Sequence, residues 1–123
     1  MNPPMHDLTA AGQIQAQNVE RFRKILTDIA RERSRQDMKW GEQNHDFPSW
    51  LPILNEEMGE ASRAFLKLTF AAIEAEGARR EGKPVDATPA RELAANFRKE
   101  LIESAAVLLA MLECGDRNNW FGA

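Results

Sequence analysis

A chain of 123 residues with 43% apolar side chains has material for one modest core, so a single domain over residues 1–123 is the expectation. A net charge of −3 argues against a protein built mainly to grip nucleic acid or an anionic membrane surface. The single cysteine, Cys114, excludes an intramolecular disulfide and a thiolate zinc site. No apolar stretch approaches the roughly 18 residues of a membrane span, and a cytoplasmic location is therefore expected.

The opening residues, MNPPMHDLT, lack the basic-then-apolar order of a signal peptide, and residues 1–12 are expected to form a flexible N-terminal segment. A first helix is predicted over about Gln13 to Gln36, where Ile14, Val19, Phe22, Ile25, Leu26 and Ile29 recur at three-and-four spacing. From Glu20 to Lys39 there are seven basic and four acidic residues, which reads as a solvated helix face. The stretch DMKWGEQNHDFP, Asp37 to Pro48, loses the helical period and is predicted as a loop of functional character.

Ser49 is the predicted cap of a second helix reaching about Glu76, with Pro52 tolerated in the first turn and Gly77 just beyond its end. Its apolar stripe is Trp50, Ile53, Leu54, Met58, Ala61, Phe65 and Leu68, which places Trp50 in the core or at a subunit interface. After a polar connection, Thr88 followed by Pro89 signals the cap and first turn of a third helix that stops near Gly115. Leu93, Phe97, Leu101, Ala105, Leu108 and Leu112 form its predicted stripe, and Trp120 and Phe121 are expected to pack beyond it. No segment alternates like a strand. The expected fold is all-α: a helical bundle of a long N-terminal helix and an antiparallel helix pair, completed by oligomerisation.

Two acidic pairs carry the chemistry. In EEMGE, Glu57 and Glu60 lie three residues apart, which at about 100° per residue leaves them about 60° apart on one helix face. Glu100 and Glu103 in KELIES repeat the arrangement on the third helix, and Glu57 also falls on the apolar stripe. A carboxylate facing inward is costly unless it is paired with something positive. In an antiparallel hairpin, Glu57 faces Glu103 and Glu60 faces Glu100 about a common midpoint at Arg80, inside the predicted connection. Four carboxylates at one level suit Mg²⁺, or Mn²⁺ as a substitute, because both prefer oxygen ligands and retain exchangeable waters. From Trp40 to Ser62 there are five acidic residues and no Lys or Arg, which favours a cation site; Glu56 is a neighbouring candidate.

These blocks resemble a known family, the all-α nucleoside triphosphate pyrophosphatases called MazG-like. LNEEMGEASRAFL is similar to the family's first acidic block, RKELIESAAVLLAMLE to its second, and RQDMKWGEQNH to the Trp, Gln and His stretch preceding the first; the likeness covers about residues 31 to 117. It implies a dimeric or tetrameric bundle that holds Mg²⁺ through Glu57, Glu60, Glu100 and Glu103 and cleaves a nucleoside triphosphate between the α and β phosphates. Three features depart from the family pattern. Glu103 stands where Asp is commonest, the spacer between the blocks is long, and the chain ends soon after Asn119, where many members carry a basic segment. Phosphate contacts then fall to a choice among Lys39, Arg63, Lys67, Arg98, Lys99 and Arg117.

The expected reaction is attack of a metal-positioned water on the α-phosphorus, with Glu57 or Glu60 accepting its proton. Trp40 is the candidate platform for the base, Gln43 or Asn44 the readers of its edge, and His45 and Lys39 further substrate contacts. The competing expectation is a non-catalytic helical module that senses a nucleotide or mediates an interaction. Within enzymes, another pyrophosphate compound, such as phosphoribosyl-ATP or a dinucleoside diphosphate, is the alternative substrate.

Overall fold

A computed structural model describes residues 5–122, and among these there are three long helices, one short 3₁₀ turn and no strand. Helix α1 spans Met5–Trp40, α2 Trp50–Arg80 and α3 Thr88–Arg117. The all-helical expectation holds, with longer helices than the sequence suggested. Helix α1 begins at Met5 rather than Gln13, so residues 5–12 are helical, while residues 1–4 lie outside the described residues. It also continues through Trp40, which shortens the predicted loop to about residues 41–46, followed by the 3₁₀ turn Phe47–Ser49.

The helix ends show why their boundaries moved. Gly77 remains helical, and α2 stops only where Gly82 takes φ 72°, with the Lys83 N–H donating to the Ala78 carbonyl at 2.9 Å and the Gly82 N–H to Arg79 at 3.0 Å. That pattern satisfies the last carbonyls, and only a residue at ease with positive φ completes it. Asn119 plays the same part after α3 at φ 57°, with Trp120 N–H donating to the Gly115 carbonyl at 2.9 Å. Ser49 precedes α2 as expected but its side chain caps nothing: the hydroxyl donates to Asp46 Oδ1 instead. Thr88 is the first residue of α3 and not its cap; its backbone N–H is taken by the Asp86 carboxylate at 3.0 Å.

Contacts between α2 and α3 descend in opposite chain directions. Trp50 meets Cys114, Glu57 meets Ser104, and Phe65 meets Phe97 at a ring separation of 5.4 Å. Small buried residues, Ala61, Ala64, Ser104 and Ala110, bring the two backbones together. The Ser104 hydroxyl lies 2.9 Å from the Glu100 carbonyl and 3.4 Å from that of Glu57. Helix α1 is tied to α3 by Arg98 to Asp28 at 2.7 Å and by Arg33, which forks onto both oxygens of Glu113 at 3.1 and 3.2 Å.

The core is a small cluster of Trp50, Val107, Ala110 and Cys114, flanked by Ile53, Leu54, Met111 and Trp120. Trp50 is 1% exposed, as its place on the stripe predicted, and its indole N–H donates to Cys114 Sγ at 3.4 Å. Trp120 packs on this cluster and on Phe47, whereas Phe121 is largely exposed. Gly115 is held to glycine by that packing, because a Cβ there would sit 2.5 Å from the Phe121 ring and 2.9 Å from Trp120. The predicted stripe of α3 needs correction. Leu101, Leu108 and Leu112 are exposed, and the buried face is Ser104, Ala106, Val107, Ala110, Cys114 and Gly115. Met58 and Phe65 of α2 are likewise about half exposed.

Candidate functional site

Glu57, Glu60, Glu100 and Glu103 converge. One carboxylate oxygen from each lies within 4.8 Å of the other three, and all four residues are half-buried. The geometry follows from the two spacings: three residues of helix put each pair on one face, and the opposed chain directions of α2 and α3 bring the faces to one level. Glu57 Oε2 and Glu100 Oε2 are buried atoms with no hydrogen-bond partner among the described residues. Burial first, and then the charges of Glu103 and Glu60, push the Glu100 carboxyl up to about 7. Burial likewise raises Glu57, with Glu60 and Glu103 adding to the effect. Oxygen donors alone, crowded and short of protons or partners, fit a hard divalent cation and give no preference among such cations.

Two cavities adjoin the cluster. The first, about 460 Å³, is lined by Trp40, Gln43, Asn44 and His45, together with Gln36, Trp50, Ile53, Val107 and Ala110, and by Glu42, Glu56 and Glu57. It contains no cationic side chain. The second, about 680 Å³, is bounded by Glu32, Arg35, Lys39 and Lys99 along with Glu56, Glu57, Glu60 and Glu103. Gln36, Trp40, Glu56 and Glu57 line both, so a chamber rich in aromatic and amide groups and one that also holds cations meet beside the glutamates.

The sequence-predicted substrate residues are all brought to this place. Trp40 is the last residue of α1 and not part of a loop; it is 55% exposed, with Lys39 Nζ 4.6 Å above its ring. His45 packs edge-on against Trp50 at 5.0 Å, and its Nε2 lies 3.1 Å from Gln43 Oε1. Asn44 Oδ1 accepts from Asn118 Nδ2 at 2.6 Å, and Arg117 donates to the Gln43 carbonyl at 2.9 Å while pairing with Glu42. The end of α3 therefore fixes the segment that walls the first chamber. Of the proposed phosphate contacts, Lys39 and Lys99 border the charged cavity; Arg98 is paired with Asp28, Arg117 is engaged with residues 42–43, and Arg63 and Lys67 are not among its lining residues.

Sequence reasoning missed Glu32, Arg35 and Gln36. With Lys39 they form one stripe of α1 at three-and-four spacing, a pattern present in the sequence but read there as solvated. Gln36 is 3% exposed and Arg33 7%, so this face is not uniformly wet. Comparison of the chain with models of known families, with curated proteins and with solved structures gave no match.

Proposed function

We propose that this chain is a Mg²⁺-dependent hydrolase that cleaves a nucleoside triphosphate between the α and β phosphates, releasing a nucleoside monophosphate and pyrophosphate. The observation that carries this reading is the junction: four glutamates stand where a chamber walled by aromatic and amide side chains meets one that also holds Lys and Arg side chains. A nucleotide has that same division, an apolar base with polar edges joined to a polyanion whose first phosphorus is the reacting atom. The likeness of the two acidic blocks to nucleoside triphosphate pyrophosphatases supplies the choice of bond.

Glu57, Glu60, Glu100 and Glu103 would hold the ion, and Mn²⁺ would fit the same donors. Chemistry supplied by the ion there is a water of lowered pKa and neutralisation of charge on the phosphoryl oxygens. Glu57, or Glu60 beside it, accepts the proton from the attacking water. Trp40 offers a face to the base, Gln43 and Asn44 offer amide groups to its edge, and His45 together with Lys39 borders the sugar and phosphates. The floor of Trp50, Ile53, Val107 and Ala110 excludes water beneath the base.

Self-association belongs to the same proposal, as a dimer or tetramer. The chain exposes 9353 Å², whereas a compact monomer of this mass exposes about 6,700 Å². Phe65, Leu66, Phe70, Ile73, Leu101 and Leu108 lie among its exposed large apolar side chains. No helix among the described residues is long and apolar enough to cross a membrane, so lipid burial of a spanning helix is not what covers them.

The decisive experiment is release of pyrophosphate from a panel of ribo- and deoxynucleoside triphosphates in Mg²⁺. Turnover of at least one is expected, with Glu57→Gln and Glu100→Gln each lowering it at least about a hundredfold while helical content stays intact. Binding of nucleotides without turnover of any would replace this reading with that of a nucleotide-sensing module.

A further inference from the structure

Three cations border the charged cavity beside the glutamates, and they come from two helices. Arg35 and Lys39 lie one turn apart on α1, separated by about 6 Å along its axis, and Lys99 stands on α3. Three other cations of these helices, away from this cavity, are held by carboxylates: Arg33 by Glu113 and Asp37, Arg98 by Asp28, Arg117 by Glu42.

Arg35 is aimed by its partner without being used up. Its Nε donates to Glu32 at 2.8 Å and its Nη2 at 2.5 Å, which leaves Nη1 without a partner among the described residues. A guanidinium held along one edge presents the other to an anion with little further loss of rotamer freedom. Lys39 rests on the Trp40 ring, and Lys99 Nζ is 3.6 Å from Glu103, so both ammonium groups sit at the rim on flexible stems. Glu32 is then a positioning residue, one that acts on substrate only through Arg35.

The charge balance sets a condition. Five glutamates and three cations line this cavity, so without a divalent ion it repels a polyanion. A bound divalent ion brings this lining from a net charge of −2 to zero, which lifts the repulsion and lets phosphate oxygens approach the three cations.

We propose that Arg35, Lys39 and Lys99 bind the polyphosphate tail of the nucleotide, and do so only after a divalent cation occupies the glutamate cluster. This rests on the metal-dependent hydrolysis proposed above and adds to it the residues that hold the leaving group. They lie on α1 and at the middle of α3, not in a basic segment following α3.

The test uses the 123-residue chain, with inorganic tripolyphosphate as probe and Mn²⁺ as ion. Calorimetric titration with the Mn²⁺ complex of tripolyphosphate is compared with titration in chelator, and Mn²⁺ binding is followed separately by electron paramagnetic resonance. Wild type is expected to bind the probe in Mn²⁺ and not in chelator. Arg35→Gln, Lys39→Gln and Lys99→Gln should each weaken that binding about five- to tenfold and leave Mn²⁺ affinity unchanged; Lys67→Gln, outside the cavity, should alter neither. Wild-type probe affinity in all three variants, with Mn²⁺ still bound, overturns the assignment of these cations and leaves the metal site standing. Equal probe affinity in chelator overturns the ordered binding. Absence of Mn²⁺ binding to wild type overturns the metal site, and this proposal with it.

Discussion

Glu100 carries a heavy electrostatic load. Its carboxyl moves from an ordinary value of 4.5 to about 7, chiefly through burial and then through Glu103 and Glu60. Between those two values the native chain holds a proton that the unfolded chain has released, so stability falls as pH rises through this window. A divalent cation reverses the trend by pairing with the deprotonated form. The thermal midpoint of metal-free protein should therefore fall between pH 5 and pH 8, and added Mg²⁺ or Mn²⁺ should raise it more at pH 8 than at pH 5. Glu100→Gln should flatten the metal-free profile; an unchanged slope in that variant would place the burden on another group. The convergence of Glu100 with Glu57, Glu60 and Glu103 was legible in the sequence because helix arithmetic and a hairpin midpoint are enough to derive it. Arg35 and Gln36 were not, since a charged or amide side chain on a long helix carries no mark of whether solvent or a cavity faces it.

The short segment after α1 is an element whose shape depends on a distant one. Gly41 ends α1 at φ 73°, and residues 42–44 are then anchored by Arg117 and Asn118 at the far end of α3. Asn118 Nδ2 also donates to the Cys114 carbonyl at 2.8 Å, so one amide joins helix end and loop. Asn118→Ala should loosen the wall of the chamber lined by Trp40 and residues 42–45 and leave the four clustered glutamates in place. The expected outcome is a rise in KM of about three- to tenfold with kcat nearly unchanged, read from steady-state kinetics on the preferred triphosphate. A matching fall in kcat would mean that the loop also orders the glutamates. Helix existence was readable throughout from apolar spacing, whereas the ends were not. Ser49 and Thr88 have the composition of caps, yet Asp46 takes the Ser49 hydroxyl and Asp86 serves the Thr88 amide. Neither hydroxyl accepts from the first turn of its helix, and α2 runs past Gly77 to the glycine with positive φ, Gly82.

The whole molecule exposes more surface than a compact chain of its mass, and many large apolar side chains lie on it. The excess over a compact monomer is about 2,700 Å², more than the roughly 800 Å² per partner of a standard interface. Leu101, Leu108 and Leu112 belong to a period that sequence reading took as the core, but α3 is apolar around much of its circumference, so periodicity could not tell the face used within the chain from the remainder. Sedimentation equilibrium is expected to return a dimer or tetramer at micromolar concentration. Phe70→Asp combined with Ile73→Asp, on a surface 60% and 61% exposed, should shift the population toward monomer without loss of helicity. A wild-type monomer at all concentrations would leave the apolar faces without this explanation.

The opposed directions of α2 and α3 bear on how such a chain can change over generations. Glu60 stands twenty residues before Arg80, the last residue of α2, and Glu100 twelve after Thr88, the first of α3, so about 18 Å of paired helix separates the glutamates from the connection. That length behaves as a handle. Matched insertions or deletions of about seven residues, two turns, in both helices lengthen or shorten it and return the glutamates to the same level and face, so the spacer between the acidic pairs can change in such steps. An unmatched single-residue change in one helix rotates its pair by about 100° and parts the four carboxylates. Spacer length is thus a poor guide to kinship among such chains, and the spacing within each pair a good one.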